Sequence, residues 1–255
     1  MKYILKGDEP PLLERFRTKN PNYTWDQCKK NTKRRNQIQQ TLREDQGGLC
    51  LYCEIDLIPA EPDCEADFRV EHFHPKSDKS SGHNWDLDWS NLFACCHGGH
   101  NPNVSDAANR HTNPDVSCDI PKDNNILDDV ILNPLSMPKS HALFDFDRAS
   151  GSISVHHGNC ELAGVDKVKA QATIDNLRLD ADRLRRLRSA ELNRVNELLR
   201  GLIEGGMSVA QAREHISKAL LKRNGDNNWP KFFSALRSYL GQAAEQQLRR
   251  IGYIN

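Results

Sequence analysis

Apolar residues recur at helical spacing in the last third of the chain but occur only in short, isolated runs through the middle third. Leu177, Leu184, Leu187, Val195, Leu198 and Leu202 follow a three-to-four spacing with one slip near Glu191. That spacing predicts amphipathic helices, the longest with Asp180 as N-cap and Gly205-Gly206 as its stop. Ser208-Val209-Ala210-Gln211 is a capping box that opens another helix, and Pro230 suits the first turn of a last one through Phe233, Leu236 and Leu240. Thr24-Trp25-Asp26-Gln27 repeats the capping-box pattern, so the polar stretch after it reads as one helix to about Asp45, ended by Gly47-Gly48. Between residues 50 and 151 the chain is rich in Asp, Asn, Pro, His and Cys, which predicts loops and short strands that need a staple. Residues 142–146 and 152–155 flank a turn and read as a β-hairpin. The pattern as a whole predicts an α+β fold in three parts: an N-terminal helical segment (1–45), a core (46–160) and a C-terminal all-α unit (161–255).

Composition narrows the picture. A chain of 255 residues, 37% hydrophobic and 27% charged, can bury one good core and a smaller second one. No apolar run approaches bilayer length, and the first eight residues reach charge too early for a signal peptide, so the expectation is a cytoplasmic protein with no membrane contact. In a reducing compartment, eight cysteines imply metal binding, catalysis or burial rather than disulfides. The zero net charge conceals segregation. Residues 1–45 hold 11 Lys and Arg against 6 Asp and Glu, residues 46–160 hold 7 against 18, and residues 161–255 hold 17 against 11. An acidic middle repels phosphate unless a divalent cation sits in it, and basic flanks supply contacts to a nucleic-acid backbone or are simply solvated helix faces.

Cys50-Leu51-Tyr52-Cys53 presents two thiolates on one tight turn, half of a tetrahedral zinc site. The alternative, a redox pair, normally opens a helix after a strand, whereas this motif follows a Gly-Gly stop. Cys64, Cys95, Cys96, Cys118 and Cys160 compete to supply the other half. Val70-Glu71-His72-Phe73-His74-Pro75, followed by Trp89-Ser90-Asn91-Leu92-Phe93-Ala94-Cys95-Cys96, resembles the HNH, or ββα-metal, nuclease motif. There an acidic-His pair ends one strand and an Asn-Leu opens the next turn. The resemblance is closer to the PtuB-like HNH proteins of retron and Septu anti-phage systems, carried by Glu71-His72-Phe73-His74-Pro75-Lys76-Ser77, Asn91-Leu92, Cys118-Asp119-Ile120-Pro121-Lys122, Asn133-Pro134 and Ala170-Gln171-Ala172-Thr173-Ile174-Asp175-Asn176-Leu177. It covers roughly residues 40–190.

The resemblance implies a metal-dependent HNH endonuclease whose structural Zn²⁺ is held by Cys50, Cys53, Cys96 and Cys118, leaving Cys28, Cys64, Cys95 and Cys160 as free thiols. His72 would be the general base, with Glu71 a ligand of Mg²⁺ or another divalent cation and Asn91 fixing the loop that orients the base. The third catalytic group stays open, because 21 residues separate Cys96 from Cys118 where the family is usually compact. It is Asp119, just after the fourth cysteine, or His100, nine residues after Asn91. His97, His100 and His111 either hold a second metal or belong to a polar surface loop. The implied partners are a DNA or RNA substrate, an ABC-type ATPase (PtuA-like) and, in retrons, a reverse transcriptase with its RNA–DNA product. Trp229, Phe232, Phe233 and Tyr239, beside Lys231 and Arg237, are either an interface for that ATPase or the closure of the chain's own helical core. The competing function is a zinc-stabilised nucleic-acid-binding or adaptor protein, against which the acidic core argues.

Overall fold

Local capping decides where the N-terminal helices begin and end. The computed structural model describes residues 1–254. Helix α1 (Pro11–Lys19) starts with Pro at its first position, where the missing N–H costs nothing. Helix α2 (Trp25–Lys29) opens with the capping box of Thr24 and Gln27. The single helix expected to about Asp45 is broken after one turn. Asn31 accepts a hydrogen bond from Arg34 N at 2.9 Å and caps a new helix, α3 (Thr32–Asp45), while the Arg34 guanidinium donates to the Cys28 carbonyl at 2.6 Å. A second N-cap seven residues after the first outcompetes continuation.

Two short antiparallel hairpins follow. Strand β1 (Arg69–His72) pairs with β2 (Leu92–Cys95) in the register Arg69↔Cys95, Glu71↔Phe93 and His72↔Leu92. A 3₁₀ turn over Trp89–Asn91 leads into β2. After two single-turn helices, α4 (Ala107–Arg110) and α5 (Asp119–Lys122), the anticipated hairpin forms as β3 (Phe144–Phe146) on β4 (Ile153–Val155). The chain ends in α6 (His157–Leu162), α7 (Lys167–Asn176), α8 (Asp182–Glu204), α9 (Val209–Leu220), α10 (Phe233–Leu240) and α11 (Gln242–Arg250). Among the described residues, no helix is long and apolar enough to cross a membrane.

The tail differs from the sequence pattern in three ways. Asp180 does not cap α8; Ala181 holds that position without a side-chain bond, and Asp180 instead accepts from Ile153 N at 3.0 Å, joining the tail to β4. The slip near Glu191 turns the stripe, so Leu184, Leu192, Val195 and Leu199 are buried while Leu198 is 43% exposed. Trp229, Phe232 and Phe233 are buried within the chain and Tyr239 is half-buried with its hydroxyl donating to Asn196 Oδ1 at 2.7 Å, so of the two readings of these aromatics the burial favours closure of the chain's own helical core. Trp229, Phe233 and Tyr253 pack their rings with centroids 5.0–5.3 Å apart.

The helical and sheet parts are joined by a buried amide. Gln46, at the end of α3 and 1% exposed, accepts from Ala94 N at 2.7 Å and donates to the carbonyls of Ala94 and Leu49 at 2.8 Å. It thus replaces the missing strand beside β2. Gly47, next in sequence at φ +64°, lies so close to Trp229 that a Cβ would stand 2.4 Å from Cδ1 of the ring; Trp229 N donates to the Gly47 carbonyl at 2.8 Å. Replacing Gln46 with Leu strands the Ala94 N–H and the Leu49 carbonyl, while the Ala94 carbonyl keeps the Leu51 N–H at 3.2 Å, so Q46L should lose about 3 kcal/mol of stability in urea unfolding, with each unmet group costing about 1–3 kcal/mol. A change of less than about 0.5 kcal/mol would mean that water satisfies these groups.

Candidate functional site

The end of β1 places two adjacent ionisable residues, Glu71 and His72, in the interior, 9% and 7% exposed. Nε2 of His72 lies 3.2 Å from the backbone carbonyl of Asp86. A carbonyl only accepts, so Nε2 carries the hydrogen and Nδ1 is left as the ring's acceptor. Burial lowers the His72 pKa to about 4, so the ring is neutral near pH 7. Asp86 is itself pinned: its carboxylate accepts from Trp25 N at 2.8 Å and from Lys79 Nζ at 2.8 Å. The Trp25 ring stands edge-on to the imidazole at 5.7 Å. Helix α2 therefore holds the carbonyl that sets the tautomer of His72.

Beside His72 lies an acid pair. Glu71 Oε1 accepts from Tyr52 Oη at 3.3 Å and pairs with Lys122 Nζ at 2.9 Å. Lys122 is 1% exposed and also donates to the His72 carbonyl at 3.0 Å. Asp119, one turn before Lys122 on α5, pairs through Oδ2 with Arg69 Nε at 2.7 Å. Its other oxygen, Oδ1, is buried without a hydrogen-bond partner. Burial, and then the charge of Glu71, push the Asp119 pKa up to about 7. An orphaned carboxylate oxygen beside a second carboxylate is a donor set that suits a hard divalent cation.

Asn91 ties the next turn to this strand end. Its Oδ1 accepts from His74 N at 2.7 Å, and its Nδ2 donates to the carbonyls of His74 (2.9 Å) and Trp85 (3.0 Å). Lys6 Nζ donates to the carbonyls of Trp89 and Leu92 on either side. His74 itself has Nδ1 3.0 Å from Asp128 and Nε2 2.9 Å from Asp78, so neither nitrogen keeps a free lone pair for a water. His100 is exposed in the loop after β2, with no side-chain hydrogen bond among the described residues, and His97 Nε2 lies 3.1 Å from the Ala66 carbonyl. Among the described residues, the one convergence of three or more metal-type side chains is made of cysteines, so His97, His100 and His111 do not assemble a second site.

That convergence draws on three segments: the turn at Cys50 and Cys53, the end of β2 at Cys95 and Cys96, and Cys118 at the start of α5. The sulfurs of Cys50, Cys95, Cys96 and Cys118 all lie within 4.8 Å of one another, and Cys53 Sγ is 3.6 Å from Cys96 Sγ. Cys96 to Cys118 is 3.7 Å and Cys50 to Cys95 is 3.8 Å. A tetrahedral metal ion with sulfur at about 2.3 Å spaces its ligands about 3.8 Å apart, so the cluster fits a metal such as zinc. Burial opposes ionisation of Cys50, but hydrogen bonds from Cys118, Cys53 and Cys95 outweigh it and carry its pKa well below the ordinary value; Cys96, bonded first by Cys118, falls likewise. Burial raises Cys53, Cys95 and Cys118. The Arg183 guanidinium, 2% exposed in the first turn of α8, lies 3.9 Å from Cys96 Sγ and donates to Ser117 Oγ at 2.9 Å, placing a tail cation against the thiolates.

The long insertion between Cys96 and Cys118 folds back on itself. Thr112 N and Ser117 N donate to the carbonyls of Gly99 and Gly98, both at 2.9 Å. A Cβ at Gly98, at φ +60°, would stand 2.2 Å from the Ser117 carbonyl oxygen. Arg110 anchors the loop through Asp67 at 2.5 Å and Asp56 at 2.7 Å.

Sequence reasoning missed Lys122, Arg69, Asp86 and Arg183 as parts of the site. Lys122 stands in the Cys118-Asp119-Ile120-Pro121-Lys122 motif without a role there, although its place three residues after Asp119 puts both on one helical face. No protein-family model matches this chain. A protein of Escherichia coli named retron Ec83 putative HNH endonuclease is 31% identical over 252 residues, covering 94% of this chain and 93% of the relative. With a likeness that runs nearly end to end, and with an acidic-His strand end, an Asn turn and a cysteine cluster meeting in one core, the chain belongs to the HNH endonucleases of retron systems.

Proposed function

We propose that the protein is a metal-dependent nuclease that hydrolyses phosphodiester bonds at the strand end formed by Glu71 and His72. The observation that carries this reading is the buried His72, kept neutral by burial and held through Nε2 by the Asp86 carbonyl, with its own backbone carbonyl accepting from the same Lys122 that pairs with Glu71 of the acid pair. Nδ1 of His72 takes a proton from the attacking water. Glu71 and Asp119 are the residues that would hold a divalent cation, and His100, at the surface, is set aside for that role. When bound, the cation supplies stabilisation of the charge that develops on the leaving oxygen. Lys122 keeps Glu71 and the His72 backbone in fixed relation, and Asn91 holds the turn that carries His74 against β2.

The cysteines carry a structural role in this reading. Zinc is the ion that four buried thiolates suit, and the proposed ligands are Cys50, Cys53, Cys96 and Cys118, forming a closed shell with no position for substrate. Cys95 is the competitor for the fourth place. Cys95 has its sulfur inside the group of four mutually close sulfurs, but Cys53 is favoured because it shares a tight turn with Cys50, the usual two-thiolate half of a zinc site, and its sulfur lies 3.6 Å from that of Cys96. The family likeness supports a defence role in which an ABC-type ATPase (PtuA-like), a reverse transcriptase and its RNA–DNA product are the partners, and DNA or RNA the substrate.

Two tests follow from the geometry. His72→Ala should lower cleavage of a nucleic-acid substrate by about 10²–10⁴-fold, the usual cost of losing a general base, with the melting temperature and metal content close to those of the parent. Full activity in that variant would remove His72 from the reaction; His74, with both nitrogens occupied, is poorly placed to replace it. For the cysteines, zinc measured by mass spectrometry should be one ion per chain in the parent and in Cys95→Ser, but absent or weakly held in Cys53→Ser and Cys118→Ser. Zinc retained in Cys53→Ser and lost in Cys95→Ser would move the fourth ligand to the strand.

A further inference from the structure

A cavity of about 380 Å³ lies where the N-terminal segment meets the end of the helical tail, and it shares no residue with the His72 site. Its walls carry four cations, Lys2, Lys139, Lys222 and Arg223, against a single carboxylate, Asp45. That carboxylate is engaged elsewhere, accepting from Gly7 N at 3.1 Å. Among the described residues, none of the four cations makes an ion pair within 4.0 Å. Lys2 is the most telling. It is only 7% exposed, and its ammonium has one hydrogen bond, a long one of 3.5 Å to the Tyr3 carbonyl. The acid nearest in charge, Glu54, is taken by the hydroxyl and backbone N of Ser234, each at 2.7 Å. Burial, set against Glu54 and reinforced by Arg223, lowers the Lys2 pKa to about 8. A buried ammonium without a counter-charge is costly unless an anion completes it.

The remaining wall is aromatic. Tyr3, Trp229 and Tyr253 line the cavity, with the Lys139 ammonium 4.8 Å from the Tyr3 ring and the Arg223 guanidinium 5.3 Å from the Trp229 ring. Exposed Leu5 and Ile251 form an apolar lip. Trp229 is buried behind the Arg223 guanidinium, so the half-buried Tyr3 and Tyr253 rings are the ones left to stack on a base; cations that hold phosphate oxygens beside such rings are the chemistry of nucleotide recognition, and the volume is in the range of small-ligand sites.

We propose that this cavity binds a nucleotide through its phosphates and its base, as a free nucleoside polyphosphate or as the 5′-phosphorylated end of a strand. It is a site apart from the hydrolytic one, and it stands or falls independently of the nuclease reading. The test is calorimetric titration of the full chain, without added divalent cation, using ATP, tripolyphosphate, adenosine and a 5′-phosphorylated thymidine tetranucleotide. ATP or the tetranucleotide should bind saturably, and more tightly than tripolyphosphate or adenosine. Tighter ATP assigns a free nucleotide and a tighter tetranucleotide assigns a strand end. Lys222 and Arg223 are exposed, so the double variant Lys222→Ala/Arg223→Ala should keep its fold while weakening the bound probe by about tenfold or more, the worth of one or two hydrogen bonds to a charged group. Binding by neither nucleotide probe, or binding that the double variant leaves unchanged, would overturn the proposal.

Discussion

Five buried sulfurs in one place are the constraint on which the rest of the structure depends. They bring together a turn after α3, the end of β2 and the residue that precedes α5, segments that also meet in one apolar core. Two of the thiols are driven toward ionisation, and buried negative charge of that kind needs a cation. A bound metal ion would supply most of it, and Arg183 supplies more from the helical tail. The same cluster thereby sets where α5 starts, and α5 carries both Asp119 and Lys122 to the end of β1. The chemistry proposed for His72 would thus be positioned by residues that take no part in it.

The acid pair illustrates how charge is managed in this core. Glu71 and Asp119 stand close enough that one raises the pKa of the other, and each is met by a cation, Lys122 and Arg69. Those two ion pairs compensate the carboxylates but leave Asp119 Oδ1 unpartnered. An apolar replacement would have been the stabler solution for a merely structural core, since buried ion pairs seldom exceed their desolvation cost. Four charged groups retained around the end of β1 are therefore what the proposed function would explain.

Local patterns in the sequence carried as far as local physics allows. The acidic-His pair at a strand end, the Asn that opens the next turn and the hairpin around residues 144–155 were legible because each depends on neighbours within a few positions. The break at Asn31 was legible in kind, since Asn is a strong N-cap, but an unbroken polar helix looked equally good without the Arg34 contact to Cys28. The register of α8 was lost at Glu191, where a shift of one residue moved burial from Leu198 to Leu199. The aromatics of residues 229–239 were weighed as an interface because sequence does not reveal that Gly47 makes room for Trp229. Lys122 and Arg183 required the tertiary fold, because their partners lie 50 and 87 positions away.

The most direct measurement of the central claim is a crystal of the protein soaked in Mn²⁺ and recorded at a wavelength where manganese scatters anomalously. The account predicts an anomalous peak within bonding distance of Asp119 Oδ1 and Glu71, with His72 alongside and Nε2 still on the Asp86 carbonyl. A manganese peak held instead by His97, His100 or His111, with the space between Glu71 and Asp119 empty, would contradict it.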